Sequence, residues 1–374
     1  MFDFPSSPTI GQQVIEPNGA AVQWDGTKWA SVAGQVNSVA PLYNNIGRNL
    51  IHNSMFNINQ RGLGSWTTSG VYTSDRWYMG FSGGTYTASV GAMPPNTAAG
   101  AFGDEACQYI MINNVAGTSG VNDYSLLMQK IENVRRLSGK TITLSFWSWS
   151  DQSNMKIGVE LEQQFGSGGS AAVVGNGSRA FNLVMATPTR FSTTITLPSV
   201  SGKTINAGDL TQLNFWLSNG SGYTSRSGGV GVQTATIYLW GVQLEIGSTM
   251  TPLEKLDPRI ELSNCQRFFE RKSLLLNEGL GVGTVQTVSS PVTAYFIMVP
   301  YKVTKRAVPT TTMSAPNTFT VAGLACSNVS VGASTNAAWM HFAATGGSTG
   351  ANWAAVPVAS DGSLPAYIDF SADL

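Results

Sequence analysis

Ile237-Tyr-Leu-Trp-Gly-Val-Gln-Leu-Glu-Ile-Gly-Ser-Thr-Met-Thr-Pro-Leu-Glu254, with Glu261-Leu-Ser-Asn-Cys-Gln-Arg-Phe-Phe-Glu270 after it, sets the architecture of this chain. Its first part continues Thr234-Ala-Thr236 into a run that reads as a β-strand. Strands of the same kind precede it. Lys140-Thr-Ile-Thr-Leu-Ser-Phe146 puts Ile142, Leu144 and Phe146 on one face, and Thr211-Gln-Leu-Asn-Phe-Trp-Leu217 does so with Leu213, Phe215 and Leu217. Each such strand has one face to bury. Phe191-Ser-Thr-Thr-Ile-Thr-Leu197 joins the series, and Gly, Ser and Asn clusters separate its members. From Ile46 to Glu254 the pattern predicts a two-sheet antiparallel sandwich or jelly roll, with helix nearly absent.

The 374-residue chain carries 41 glycines and only 11% charged residues, against about 25% for soluble proteins in general. Its polarity therefore comes from Ser, Thr, Asn and Gln, a surface suited to β-structure rather than to salt-bridged helices. With 42% hydrophobic and 10% aromatic residues it can bury large cores, and its length allows two or three domains. Lys plus Arg and Asp plus Glu both number 21, so no electrostatic pull toward nucleic acid or an anionic membrane is expected. No segment approaches the roughly 20 consecutive apolar residues that span a bilayer, so membrane insertion is not expected. Met1-Phe-Asp-Phe-Pro-Ser-Ser-Pro8 lacks a basic start and an apolar core, which predicts synthesis in the cytoplasm without export. Cys107, Cys265 and Cys326 are odd in number and far apart, which predicts buried thiols rather than disulfides or a metal motif.

The segments Ile237–Glu254 and Glu261–Glu270 together resemble the junction in tail-fibre and receptor-binding proteins of tailed bacteriophages, where the last strand of a carbohydrate-binding-type jelly roll passes into a short helix. Asn49-Leu-Ile-His-Asn-Ser-Met-Phe-Asn-Ile-Asn-Gln-Arg-Gly62 resembles the opening strand of these domains, and Ser74-Asp-Arg-Trp-Tyr78 their second landmark. Leu137-Ser-Gly-Lys-Thr-Ile-Thr-Leu-Ser-Phe-Trp147, Gln163-Gln-Phe-Gly-Ser-Gly-Gly-Ser170 and Leu197-Pro-Ser-Val-Ser-Gly-Lys203 follow in the same order. The resemblance covers Asn49 to Glu270. It implies a phage virion fibre or adhesin, homotrimeric, that attaches non-covalently to a host bacterial surface glycan; the residues themselves show no catalytic triad, phosphate loop or zinc spacing, and no cofactor is assigned. Such a part is made in the host cytoplasm and leaves with the virion. Two other classes stay open: a structural virion decoration, such as a head fibre or baseplate protein without a ligand, and a polysaccharide-degrading tail spike. Likeness at the level of fold does not establish a ligand.

The expected chain is all-β in four parts: an N-terminal β-hairpin module over 1–45, the jelly roll over 46–255, one linking helix over 256–273 and a C-terminal β tip domain over 274–374. Asn18-Gly19 and Asp25-Gly26 each suit a tight turn between apolar segments, giving two successive hairpins. A meander this small buries little surface, so it is expected to dock to other virion proteins. Trp24 and Trp29 then either close its own core or meet the partner. Asn37 to Asn45 reads as a linker.

Asp257 as N-cap, Pro258 at the first helical position, Glu261 in the first turn and Arg271 with Lys272 in the last predict a helix from Asp257 to Lys272. Leu262, Cys265 and Phe269 form a narrow apolar stripe on it. The stripe either meets its copies near a threefold axis, the oligomerisation role favoured here, or packs onto a neighbouring domain. Beyond it, Val292-Thr-Ala-Tyr-Phe-Ile-Met-Val-Pro300 reads as a buried strand. Lys305-Arg-Ala-Val-Pro-Thr-Thr311 and Tyr367-Ile-Asp-Phe-Ser-Ala-Asp-Leu374 resemble a step and the closing strand of phage-fibre tip domains.

A sugar ring offers an apolar face and a rim of hydroxyls, so a site for it wants an exposed aromatic platform flanked by amides or carboxylates. Trp216 alternates away from Phe215 and Leu217 and shares its face with Asn214. Trp147 and Trp149 share the face opposite Phe146 if their strand carries no bulge. Trp339 and Trp353 lie in a Gly/Ser/Ala-rich background typical of loops on a β scaffold. Trp147, Trp149, Asn214, Trp216, Trp339 and Trp353 are therefore the candidate glycan contacts, the alternative for each ring being burial under a sheet or loop. Trp77 and Trp240 are assigned to the core.

Glu160 and Glu162 lie two residues apart on one strand face, about 7 Å by strand rise, a spacing that glycoside hydrolysis permits. Their alternation with Val159 and Leu161 reads instead as a solvated strand face. His52 and His341 suggest no activated nucleophile, so no enzyme is expected. Asp75 and Asp104-Glu105 could offer oxygen ligands to a structural calcium, but no ligand loop of defined spacing accompanies them, and no metal site is assigned.

Overall fold

In a computed structural model, residues 4–15, 21–31, 47–93, 108–274, 279–289, 292–321, 324–345, 355–360 and 366–374 are described. The chain divides into two compact units, Met1–Ile46 and Gly47–Leu374. In the first, β1 (Gln13–Ile15), β2 (Ala21–Trp24) and β3 (Trp29–Ser31) form an antiparallel meander. Asp25 Oδ1 accepts the backbone N–H groups of Thr27 and Lys28 at 2.8 and 2.9 Å, which closes the turn between β2 and β3. Trp24 and Trp29 meet at 5.6 Å and Phe4 stacks on Trp29 at 5.2 Å, so both indoles pack within the unit. The Asn18-Gly19 turn and the linker over 37–45 lie outside the described residues.

The second unit opens with twelve strands: β4 (Ser65–Trp66), β5 (Val71–Tyr72), β6 (Trp77–Ser82), β7 (Thr85–Ala92), β8 (Tyr109–Ala116), β9 (Tyr124–Glu132), β10 (Thr141–Ser150), β11 (Lys156–Gln164), β12 (Val173–Asn182), β13 (Thr189–Thr196), β14 (Leu210–Asn219) and β15 (Thr234–Ile246). A one-turn helix, α1 (Thr224–Ser227), precedes the last of them. The strands form a sandwich of two six-stranded antiparallel sheets, ordered β13-β10-β15-β8-β7-β4 and β12-β11-β14-β9-β6-β5. Alternation explains the pairing of faces. Ile142, Leu144 and Phe146 of β10 and Leu213, Phe215 and Leu217 of β14 are fully buried in one core, where the rings of Phe146 and Phe215 lie 5.1 Å apart. Trp77 and Trp240 are buried in the same core.

β15 bends within its own length. Its register against β10 shifts between Ser145 and Trp147, and Gly241 takes φ 59° there. A Cβ at Gly241 would stand 2.9 Å from Trp147 Cδ1, so glycine serves both the bulge and the approach of the ring. The separated sequence landmarks meet at this end of the sandwich. Asn49 Nδ2 donates to the Val242 carbonyl at 3.0 Å, and Asn49 Oδ1 accepts from the Leu244 N–H at 3.1 Å. Asn53 Nδ2 donates to Ser74 Oγ at 2.8 Å, and the Asn53 carbonyl accepts Trp77 Nε1–H at 3.0 Å. Buried amides are tolerated because they are paired in this way.

α2 (Pro258–Gln266) starts as expected, with Asp257 Oδ1 accepting the Arg259 N–H at 2.8 Å, but ends at Gln266 rather than Lys272. β16 (Phe269–Leu274), β17 (Gly279–Ser289), β18 (Val292–Pro300), β19 (Thr310–Met313), β20 (Phe319–Val321), β21 (Leu324–Ala333), β22 (Ala337–Thr345), β23 (Ala355–Ser360) and β24 (Ala366–Ser371) follow. They make a three-stranded sheet, β16-β24-β19, and a closed barrel, β17-β18-β22-β21-β20-β23. The helix is short because Arg271 belongs to the ladder instead: it faces Asp369 on β24 and binds its carboxylate at 2.6 and 2.7 Å. β18 is not buried on both sides, since Ile297 and Val299 are covered while Met298 is 72% exposed. Among the described residues no helix is long and apolar enough to cross a membrane. Cys265 and Cys326 are buried free thiols, and Cys107 lies outside the described residues.

The stripe expected to join copies of the chain is used within it. Cys265 is fully buried, Leu262 is half-buried, and Phe269 is covered by the Arg61 guanidinium 3.6 Å above its ring. Leu262, Cys265 and Phe269 therefore do not present a seam for oligomerisation. The reason is that α2 ends just before two adjacent buried rings, Phe268 and Phe269, which anchor the sandwich to the sheet that follows.

Two titratable groups near this junction respond to pH in opposite senses. Burial, then the charges of Arg76, Arg136 and Arg267, push His52 down to about 3. Its native pKa lies below the unfolded value of 6.5, so its contribution to stability is present above pH 6.5 and lost as pH falls toward 3. Burial pushes Asp75 up to about 6, against the pull of Arg61 and Gln60. Its contribution is therefore present below its unfolded value of 3.8 and lost as pH rises through 6. The two slopes oppose each other in mildly acidic solution. His52→Gln removes one of them, and between neutral pH and about pH 4 the variant should gain on the order of 3 kcal/mol relative to the parent. Urea unfolding of both across that range checks this; a constant difference between them contradicts it.

Candidate functional site

Gln212, Asn214 and Trp216 alternate with the core residues of β14 and so lie on the outer face of the β12-β11-β14-β9-β6-β5 sheet. Register places neighbours in rows across this face: Glu162, Gln212 and Lys130; Glu160, Asn214 and Met128; Gly158, Trp216 and Leu126. The segment around α1 lies over the third row. Gly158 permits this, because a Cβ there would stand 2.3 Å from the Ser227 carbonyl oxygen. Tyr223, at the start of α1, meets Trp216 at 5.3 Å and Tyr124 edge-on at 5.8 Å.

The result is a cleft of about 280 Å³. Its walls are the rings of Tyr124, Trp216 and Tyr223 with Leu126 and Met128, and its polar rim is Glu162, Gln164, Gln212, Asn214 and Arg226. The rim is a connected network. Gln212 Nε2 donates to Asn214 Oδ1 at 2.7 Å, and Asn214 Nδ2 donates to Glu160 Oε1 at 2.9 Å. Arg226 Nη2 reaches Glu160 Oε1 at 2.5 Å and Glu162 Oε2 at 2.8 Å, and its guanidinium lies 5.4 Å from the centre of the Trp216 ring. Gln164 Nε2 donates to Glu162 Oε1 at 3.0 Å. Burial works against the Arg226 charge, but the hydrogen bonds and charges of Glu160 and Glu162 outweigh it and raise its pKa. The buried Trp216 Nε1–H has no hydrogen-bond partner.

Trp216 is in the cleft but is not an open platform. It is 1% exposed, roofed by Tyr223 and Arg226. Asn214 is fully buried and its amide is committed on both sides. Glu160, read from alternation as solvated, is fully buried too, because Arg226 compensates its charge. Trp147 and Trp149 stand on β10, in the other sheet, so they share no surface with Trp216. Trp149 is 7% exposed and stacks on Tyr238 at 4.9 Å; Trp147 is half-buried beside Gly241. Trp339 is 55% exposed on the barrel, and Trp353 lies outside the described residues. Asp75 is buried and each of its carboxylate oxygens accepts a hydrogen bond from Gln60, at 2.6 and 2.8 Å; Asp104 and Glu105 lie outside the described residues.

Sequence reading missed Tyr124, Tyr223, Arg226, Gln164 and Gln212. The outer-face partners Gln212 and Gln164 carried a signal, since they alternate with the core residues of β14 and β11. Tyr223 and Arg226 sit in Ser221-Gly-Tyr-Thr-Ser-Arg-Ser-Gly-Gly229, which has the composition of a linker and gives no hint that it folds back over the sheet.

The sequence matches no protein-family model and no curated protein. Among solved structures, the chain is similar to tailspike protein 4 of bacteriophage CBA120, at 15% identity over 54% of this chain and 22% of that one, with a TM-score of 0.32. It thus spans about a fifth of that tailspike structure's length. A CBM4 structure is 17% identical over 53% of this chain and 99% of its own, with a TM-score of 0.31. A cyclase from Fischerella sp. TAU is 15% identical over 54% and 98%, with a TM-score of 0.34. Likeness of this degree carries nothing about ligand or activity.

Proposed function

We propose that this protein is a phage virion adhesin that attaches to a host bacterial surface glycan without cleaving it, and that the cleft beneath Tyr223 holds the sugar. The cleft carries the glycan part of this reading, since three aromatic side chains and a rim of amides and charged groups converge on a volume suited to a sugar ring or two, while the virion part rests on the sequence resemblance over Asn49 to Glu270. Tyr124 and Tyr223 offer partly exposed ring surface for stacking, and the rim amides and charged groups offer hydrogen-bonding partners. Binding is favoured over hydrolysis because hydrolysis needs a carboxyl group free to give a proton. Glu160 is held by Asn214, Arg226 and the Gly175 N–H, and Glu162 by Arg226 and Gln164. In this reading the module over 1–45 attaches the protein to other virion proteins, and any homotrimer forms through surfaces other than the buried stripe.

Purified protein incubated with host cells, and with their lipopolysaccharide or capsule, tests the proposal. Saturable binding with polymer length unchanged is the expected result. Shortened polymer contradicts the non-catalytic reading, and neither binding nor shortening leaves a structural decoration.

A further inference from the structure

We propose that the barrel carries a second saccharide contact, a single stacking platform formed by Trp339 on β22 and separate from the cleft. Ala338 and Met340 on either side of it are fully buried, so strand alternation turns Trp339 outward, where it is 55% exposed. Across the ladders it faces Gly332 on β21 and Met298 on β18, the latter 72% exposed. A Cβ at Gly332 would lie 2.2 Å from both Cε2 and Nε1 of Trp339, so the indole occupies the space over the glycine backbone. A ring seated in this way has less rotamer freedom to lose when a ligand stacks on it.

Two residues further along the same face, Ser330 and His341 are cross-strand partners, with Ser330 Oγ 3.4 Å from His341 Nδ1. They supply a polar edge for hydroxyl groups. None of β18, β21 and β22 contains a charged residue, which favours a neutral ligand. Two exposed apolar side chains fall far short of the roughly 800 Å² per partner that a stable protein interface buries. One indole suffices for one sugar ring. The choice of a saccharide rests on the glycan reading of the cleft, but the position and the test of the platform are independent of it.

Fluorine NMR of the full chain labelled with 5-fluorotryptophan reads both places at once, with the signals assigned through Trp339→Phe and Trp216→Phe. The probes are neutral hexasaccharides of glucose, galactose, mannose and N-acetylglucosamine. The Trp339 signal is expected to shift with at least one of them. Gly332→Ala, which displaces the ring without removing it, should weaken that titration about tenfold at unchanged melting temperature. A Trp339 signal unmoved by every probe overturns the platform, whether or not Trp216 responds. An equal titration in Gly332→Ala overturns the seating of the ring on the glycine. A shift at Trp339 with none at Trp216 upholds the platform while counting against the cleft.

Discussion

Trp216→Ala is expected to lower the stability of the protein by about 3–5 kcal/mol, the loss found when a large buried aromatic is truncated. The indole is 1% exposed and packs in a cluster with Leu126, Met128 and Val230, apart from the main core. Its loss would leave Tyr223 without the surface it rests on and Arg226 without the ring beside it. The effect should reach the cleft as well as the fold, so binding of the glycan should fall along with stability. Chemical unfolding of parent and variant decides the matter. An unchanged midpoint would mean that the ring is open to solvent.

Arg76→Ala should cost about 3 kcal/mol, the low end of the loss found when one side of a buried ion pair is removed, because Asp373 keeps Arg61 as a partner. Arg76 is 2% exposed, in the turn between β5 and β6, and adopts φ 72°. Its guanidinium lies 3.4 Å from the centre of the Phe268 ring, with Nη1 3.5 Å from Asp373 Oδ1. Nη2 donates to the Lys130 carbonyl. The pair joins the sandwich to the last residues of the chain, beyond β24. Arg61 also binds Asp373, so the carboxylate would keep one partner, but Phe268 would lose its cover. The variant should unfold in two steps, the β16-to-β24 region separately from the sandwich. One cooperative transition at the parent's midpoint contradicts this account of the junction.

Much of the fold was legible because alternation reports a buried face directly. Ile142, Leu144 and Phe146, and likewise Leu213, Phe215 and Leu217, declare one core side each, and the structure buries all six. Alternation does not say which sheet a strand joins. Trp147 and Trp216 both alternate away from apolar strand residues, yet β10 and β14 belong to different sheets, so period alone does not say which rings share a surface. Exposure was the second gap. A strand's outer face is solvated only if nothing folds over it, and the α1 segment covering Trp216 and Glu160 has the composition of a linker. The helix is shorter than its end signals predict for a related reason. Arg271 suits a helical last turn, but a strand partner with a carboxylate, Asp369, satisfies it better.

Tyr223→Ala tests the cleft most directly, because Tyr223 is half-exposed, lines the cleft and holds none of the carboxylates. Calorimetric titration of the host surface polysaccharide into parent and variant is the measurement, with melting followed in parallel. The account predicts binding at least about tenfold weaker in the variant, with the melting temperature close to the parent's. Equal affinity in the two proteins would contradict the assignment of the glycan to this cleft.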